Sequence, residues 1–190
     1  MKKLGIIFLA LVLTMGLNTT FAQKKGETVY NTPSLPVDDV SKKINYTMVV
    51  TTPGSPIDLY KKALRWINTY YKNPTDVIKD TSITELKILG KARFKYMNPA
   101  DKNGLETMGG ILQYTLIIEA KDGRFKYEFT DFNIKASSYT PAELWMDKKS
   151  QSYTNTYDYY LIQLDEYAKE TVKNLKDFMT TQTAPKAEQW

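Results

Sequence analysis

Two alternating segments that meet at Asp122-Gly123 constrain the fold of this chain more than any other feature of its sequence. An Asp-Gly pair between alternating segments is the strongest short-range signal for a two-residue β-hairpin turn of type I′. With that loop Lys121 lies opposite Arg124, and apolar residues lie opposite apolar residues on one face. The apolar pairs are Ala120–Phe125, Ile118–Tyr127 and Leu116–Phe129. Glu119 meets Lys126 on the other face, so the pattern predicts a half-buried antiparallel hairpin.

Further alternation predicts the rest of the sheet. The apolar phase shifts after Thr130-Asp131, which indicates a β-bulge at that point. Residues 84–96 alternate between an apolar face, with Phe94 in the core, and a basic face. Residues 44–50 alternate in the same way, and Val77-Ile78 suggests a further short strand.

Two amphipathic segments predict helices that cover the apolar face of this sheet. Ser55 followed by Pro56 and Asp58 has the form of a capping box, and the helical period then continues until Asn73-Pro74. A second helical stripe covers residues 161–178, and residues 140–143 resemble another capping box that opens a short helix. The predicted fold class is α+β, an antiparallel sheet of about five strands with two helices packed on one face, in the order β-α-β-β-β-β-α.

The first 22 residues have the pattern of a signal peptide. Lys2 and Lys3 precede an apolar run. Thr20-Phe21-Ala22 then has small residues, Thr20 and Ala22, at the two positions that signal peptidase recognises. We therefore expect an exported protein, periplasmic or secreted, with no transmembrane span in the mature chain and no lipid-modified cysteine. Residues 23–42 are interpreted as a leader or linker, 43–180 as a single α+β domain and 181–190 as a flexible tail.

The composition excludes several classes of chemistry. The chain has no Cys and no His, so disulfide frameworks, thiolate zinc sites, cysteine nucleophiles and Ser-His-Asp triads are excluded. No calcium-loop, dinucleotide or Walker motif occurs either. The sequence therefore predicts no catalytic residue, no metal site and no cofactor.

A basic row on the predicted sheet is the best candidate for a binding site. Its members are all expected on the face opposite the helices: Lys87, Lys91, Arg93, Lys95, Arg124 and Lys126. Such a row could bind an anionic envelope glycan, a lipid head group or an acidic protein surface. The alternative is an ordinary solvated sheet face, because alternating charge is typical of such strands and Glu85, Glu119 and Glu128 dilute the positive charge.

Two other clusters are weaker candidates. The aromatic residues before the last helix could stack on sugars or anchor an interface, but their spacing favours core packing: Tyr139, Trp145, Tyr153, Tyr157, Tyr159 and Tyr160. Asp165 and Glu166 are expected on the polar face of the last helix, where adjacent side chains point about 100° apart and do not converge. Asp38-Asp39 lies in the linker.

Three stretches carry a family resemblance. They are Leu35-Pro36-Val37-Asp38-Asp39 leading into Ile44-Asn45-Tyr46-Thr47, then residues 59–66 (LYKKALRW), and residues 124–132 (RFKYEFTDF). In these stretches the chain resembles an exported bacterial domain family of unknown function with a TBP-like fold, over roughly residues 35–135. The resemblance implies a curved antiparallel sheet with helices on one face. It implies no substrate and no residue roles.

These observations favour a non-catalytic exported module that binds a ligand or partner in the cell envelope. A nucleic-acid partner is not expected, because a fold does not imply a function and an exported protein rarely meets DNA. The alternative function is an envelope glycan hydrolase that uses carboxylates or tyrosine, which requires two carboxyl groups about 5–10 Å apart across a cleft. A domain that assembles only with copies of itself is a third hypothesis.

Overall fold

A six-stranded antiparallel sheet is the centre of the structure, a computed structural model that describes residues 28–181. The strands are β1 (Tyr46–Thr51), β2 (Ile78–Ser82), β3 (Lys87–Met97), β4 (Met108–Lys121), β5 (Arg124–Lys135) and β6 (Tyr139–Pro141). Their order across the sheet is β1-β5-β4-β3-β2, and β6 pairs with β5. The predicted signal peptide and residues 182–190 of the predicted tail lie outside the described residues.

Two long helices cover one face of this sheet. They are α1 (Pro56–Tyr70) and α3 (Thr156–Thr180), while α2 (Pro74–Val77) and a 3₁₀ helix (Ala142–Met146) are short. The core between helices and sheet includes Trp66 of α1, Tyr114 of β4 and Phe125, Phe129 and Phe132 of β5, all fully buried. The α+β fold class is therefore confirmed. The opposite face, here called the open face, carries no helix in the part of the chain that the structure describes.

The central hairpin has the predicted register. Lys121 pairs with Arg124, Ile118 with Tyr127 and Glu119 with Lys126. The predicted bulge is also present, because the register shifts opposite Asp131, whose φ is 52°. The turn type is different from the prediction. Gly123 has a φ of 63°, but Asp122 does not have a positive φ, so the turn is not of type I′.

The two predicted capping boxes have different outcomes. The Ser55 side chain accepts a hydrogen bond from the Asp58 N–H at 3.3 Å, so α1 begins as predicted. The 3₁₀ helix has no side-chain cap. Glu143 instead accepts the Ile44 N–H at 2.8 Å, which attaches this short helix to the segment before β1.

Two local predictions near α2 and β3 need correction. Asn73-Pro74 ends α1 but also begins α2, since Pro is well suited to the first helical position, and Val77 ends that helix rather than joining β2. The predicted element order therefore lacked α2, the sixth strand and the 3₁₀ helix, of which only the last was expected separately, from the motif at residues 140–143. Phe94 is partly buried, not fully, because it lies near the edge of the sheet. One face of its ring is covered by Tyr167 of α3, with ring centroids 3.9 Å apart.

Candidate functional site

The open face carries all six basic residues that the sequence singled out. The register places Lys87 opposite Glu119 and Glu119 opposite Lys126, so these side chains form one cross-strand row on that face. The alternate residues of β3, which are Lys91, Arg93 and Lys95, follow Lys87 on the same face. The structure therefore places all the predicted residues on one face of the sheet, where they differ in whether a carboxylate pairs with them.

Two of the six cations are paired with carboxylates. The Lys87 Nζ lies 3.4 Å from a Glu119 oxygen, and the Lys126 Nζ lies 3.5 Å from a Glu128 oxygen. Exposed pairs of this kind contribute little to stability. Each carboxylate nevertheless reduces the positive charge that its lysine offers to a ligand.

Three of the six form what we call the β3 basic row, namely Lys91, Arg93 and Lys95. All three are exposed, and none has a carboxylate within ion-pair distance among residues 28–181. Alternate residues of a strand lie about 6.6 Å apart, so the row presents evenly spaced cations. The Gln113 side chain, only 9% exposed, accepts hydrogen bonds from the Arg93 Nε at 3.0 Å and from the Tyr139 hydroxyl at 3.3 Å. This contact holds Arg93 against the sheet.

The sixth cation, Arg124, belongs to a separate patch at the turn end of the central hairpin. It lines a shallow depression of about 180 Å³ together with Lys121, Lys126, Val49 and Glu119. Because β4 separates β5 from β3 and neighbouring strands lie about 4.8 Å apart, this patch is not continuous with the β3 basic row. The predicted site is thus two surfaces.

A cleft of about 560 Å³ next to β3 was missed by sequence reasoning. Lys91 and Arg93 form one side of it, and Tyr70, Tyr71 and Tyr167 lie on the helix side. The one sequence feature that pointed to this cleft was the pair of large aromatic residues Tyr70-Tyr71 at the end of a helix, just before the Asn73-Pro74 break. Lys72, Asn73 and Asp76 also line the cleft, at the end near α2. The tyrosine side suits apolar groups of a ligand, and the side with Lys91 and Arg93 suits anionic groups.

The tyrosine hydroxyls behind this cleft form a short hydrogen-bonded chain. The Tyr71 and Tyr114 hydroxyls are 2.7 Å apart, and those of Tyr114 and Tyr167 are 3.5 Å apart. Burial raises the pKa of all three tyrosines above its ordinary value. The tyrosine wall is therefore uncharged. Three cations, Lys72, Lys91 and Arg93, and one carboxylate, Asp76, line the cleft, so its net charge is positive.

The Tyr-rich segment before α3 packs mainly against the core. Trp145 is buried and contacts Tyr96 and Tyr160, with ring centroids 5.2 and 5.1 Å apart. Tyr159 instead contacts the ring of Tyr30, which lies in the predicted leader. Tyr139 lies apart from this cluster on the open face, 53% exposed. The six residues do not form one exposed aromatic platform.

Two aspartates of α3 are buried, which corrects the prediction that Asp165 lies on a polar helix face. Asp165 accepts hydrogen bonds from the Tyr46 hydroxyl at 2.8 Å and the Lys169 ammonium at 2.7 Å. These contacts satisfy a carboxylate that the helical pattern alone assigned to solvent. Glu166, the next residue, is exposed as predicted.

The second buried aspartate, Asp158, has both of its contacts on one carboxylate oxygen, and its Oδ1 is buried without a hydrogen-bond partner among the described residues. Its carboxylate accepts hydrogen bonds from the Tyr153 hydroxyl at 2.6 Å and the Lys148 ammonium at 3.2 Å. Desolvation raises the pKa of Asp158, but these hydrogen bonds and the Lys148 charge outweigh it and hold the pKa below its ordinary value. Within residues 28–181 no three acidic side chains lie close enough to hold a metal ion.

Comparison with known proteins identifies the fold. Residues 46–135 match the family model described as a domain of unknown function (DUF4468) with TBP-like fold. The structure is similar to a crystal structure of a DUF4468 family protein from Bacteroides ovatus, with a TM-score of 0.62 and 15% sequence identity over 80% of this chain and 94% of that chain. It is also similar to a TBP-like protein from Parabacteroides distasonis, with a TM-score of 0.50 and 13% identity over 75% and 97% of the two chains.

These likenesses confirm the resemblance to this domain family and the TBP-like α+β fold, and at these identities they establish the fold alone. The sequence has no significant match among curated proteins. None of the helices within residues 28–181 combines the length and apolar character that a membrane-spanning helix needs.

Proposed function

We propose that the protein is an exported, non-catalytic binding module of the cell envelope, and that its open face binds an anionic ligand through the β3 basic row. The observation that carries this proposal is the contrast between paired and unpaired cations on one sheet face. Lys87 and Lys126 have carboxylate partners, whereas Lys91, Arg93 and Lys95 have none among the described residues.

An ordinary solvated face would not require this arrangement. Arg93 is held by the nearly buried Gln113, so its guanidinium loses little conformational freedom when a ligand binds. A guanidinium also forms two parallel hydrogen bonds to a carboxylate, phosphate or sulfate. Lys91 and Lys95 would add charge about 6.6 Å away on either side along the strand.

Export is supported by the signal-peptide pattern of residues 1–22. A non-catalytic role is supported by the lack of His and Cys and by the contacts of the buried carboxylates. Asp158 and Asp165 each accept hydrogen bonds from a tyrosine and a lysine, and neither lines the cleft beside β3 or the depression at the hairpin end. Each of those two depressions has a single carboxylate in its lining, whereas glycoside hydrolysis uses two.

The binding experiment compares two triple variants with the wild-type exported protein. Mass spectrometry of the exported protein tests export separately, and it should find Gln23 as the first residue. Lys91→Gln with Arg93→Gln and Lys95→Gln removes the β3 basic row. Lys121→Gln with Arg124→Gln and Lys126→Gln removes the same charge from the separate patch at the turn end of the central hairpin, and this variant is the matched control. Binding is measured to an envelope-glycan array, to phosphatidylglycerol vesicles and to poly-L-glutamate, at about 0.05 M and about 0.5 M salt.

We expect the wild-type protein and the control to bind one of these probes at low salt and to lose it at high salt. The variant in the β3 basic row should bind at least about tenfold more weakly while unfolding at the same temperature, because exposed charges contribute little to stability. Binding that resists salt and survives in that variant would place the site elsewhere. Absence of binding to all three probes would overturn the proposal.

A further inference from the structure

The outer edge of β3 is paired along only part of its length. β2 pairs with β3 over Lys87 to Gly90, whereas β4 pairs with it over its whole length. From residue 91 onward no strand lies on the outer side of β3 in the described chain. Unpaired backbone groups on a sheet edge are a template for another extended chain.

The backbone groups of Arg93 and Lys95 point to this free edge. The Leu86 carbonyl accepts the Ala120 N–H at 2.9 Å, so residue 86 is directed toward β4. Successive residues of an antiparallel strand direct their N–H and C=O groups to opposite sides in alternation. Residues 93 and 95 are therefore directed away from β4, as is Met97.

Gln163 of α3 occupies the end of the same edge. Its side-chain oxygen accepts the Met97 N–H at 2.8 Å, and its side-chain nitrogen donates to the Met97 carbonyl at 3.0 Å. An amide group thus makes with Met97 the two hydrogen bonds that a neighbouring strand would make. The free edge lies between this amide and the first residue of β2, Ile78, which pairs with Gly90.

The cleft beside this edge has a different chemistry on each side. Successive side chains of an extended chain point to opposite faces, so an added strand would direct one set toward Tyr71 and Tyr167 and the other toward the open face. Apolar residues are therefore favoured at the positions of the added strand that face Tyr71 and Tyr167. Acidic residues are favoured at the alternate positions, whose side chains would lie on the open face beside Lys91, Arg93 and Lys95.

We infer that the protein binds an extended, acidic segment of a partner protein by strand addition to the free edge of β3, between Gln163 and the first residue of β2, Ile78. This inference rests on the proposed function, because the same β3 basic row supplies the charge. Backbone hydrogen bonds give such complexes affinity, and alternate side chains give them specificity. A second copy is the less suitable occupant, because pairing β3 with β3 would bring two basic rows together.

The probe is a fluorescent eight-residue peptide that alternates Glu and Val, measured by fluorescence anisotropy with the full chain. Two control peptides carry N-methyl groups on all Glu amides or on all Val amides, which keeps the charge and side chains nearly unchanged. Only one of the two sets of amides faces β3 in an added strand. We therefore expect one control peptide to lose at least about tenfold in affinity and the other to keep it, with the Arg93 and Lys95 amides protected from hydrogen exchange by the parent peptide.

The outcomes separate the two proposals. If all three peptides bind equally and the Lys91→Gln, Arg93→Gln, Lys95→Gln variant binds none, the anionic site stands and strand addition is overturned. Strand addition is also overturned if no peptide binds, and the glycan and vesicle measurements then decide the anionic site independently. Protection of the Arg93 and Lys95 amides in the free protein, together with a dimer in sedimentation, would assign the edge to a second copy.

Discussion

Gly123 attaches the central hairpin to the segment before α1. Its φ of 63° lies in the left-handed region, which a residue with a Cβ rarely adopts. Its N–H donates to the Gly54 carbonyl at 3.2 Å, and its carbonyl accepts the Thr52 N–H at 3.0 Å. A Cβ added at Gly123 would meet no atom within 4 Å, so a substitution there acts through the backbone conformation rather than a clash.

The change Gly123→Val should lower the free energy of unfolding by about 1–2 kcal/mol, since a β-branched residue is strained in the left-handed region. Lys121→Ala, at the neighbouring exposed position, should change it by less than about 0.5 kcal/mol. Urea unfolding of both variants beside the wild type measures the difference. Equal midpoints for the two variants would contradict this account of the turn.

At the scale of elements, two similar sequence motifs behave differently because of what surrounds them. Ser55 caps α1, because the N–H groups in the first turn of an α-helix have no acceptor within the helix. The motif at residues 140–143 begins in β6 and includes the first two residues of the five-residue 3₁₀ helix, and its Glu143 accepts the Ile44 N–H instead of an N–H at the helix start. The same residue types therefore stabilise a helix end in one place and a tertiary contact in the other.

Ser55→Ala should cost about 1 kcal/mol of stability, because the Asp58 N–H loses its acceptor. Thr140→Ala is the matched control and should leave the stability nearly unchanged. Differential scanning calorimetry of the two variants tests this pair. A Thr140→Ala loss as large as the Ser55→Ala loss would show that the second motif also caps its helix.

At the scale of the whole molecule, the fold keeps many of its 14 tyrosines away from water. Burial raises the pKa of Tyr46, Tyr71 and Tyr114 above the ordinary value, so these hydroxyls stay neutral in the folded protein. Their contribution to stability is complete below the unfolded pKa of about 10 and is lost as the pH rises toward the folded pKa. We expect the folded state to weaken steadily above pH 10.

Tyrosinate absorbance provides the measurement. In the folded protein Tyr46, Tyr71 and Tyr114 should stay neutral at pH 10, and they should ionise together when the protein unfolds at higher pH. In concentrated urea all of them should titrate in one step. Tyr71→Phe should reduce the late step and weaken the pH dependence of stability. Folded protein whose tyrosines all titrate near pH 10 would contradict the buried hydroxyl chain.

Local pattern was enough to determine the exclusions by composition, the hairpin register, the bulge near Asp131 and the start of α1 at Ser55. These features depend on residues that are neighbours along the chain, because alternation and capping act over a few positions. The face that carries the basic residues followed from the same alternation.

Tertiary structure decided that Lys87 has a carboxylate partner on a neighbouring strand and that Lys91 has none among the described residues. Lys87 and Lys91 occupy equivalent places in the alternating pattern, but Glu119 lies opposite Lys87 and Thr115 lies opposite Lys91. The free edge of β3 depends in turn on where β2 begins, at Ile78 opposite Gly90, and on where α3 places Gln163. Such pairings join residues distant in sequence, and they are set by the packing of the strands and α3 rather than by any local preference of the residues involved.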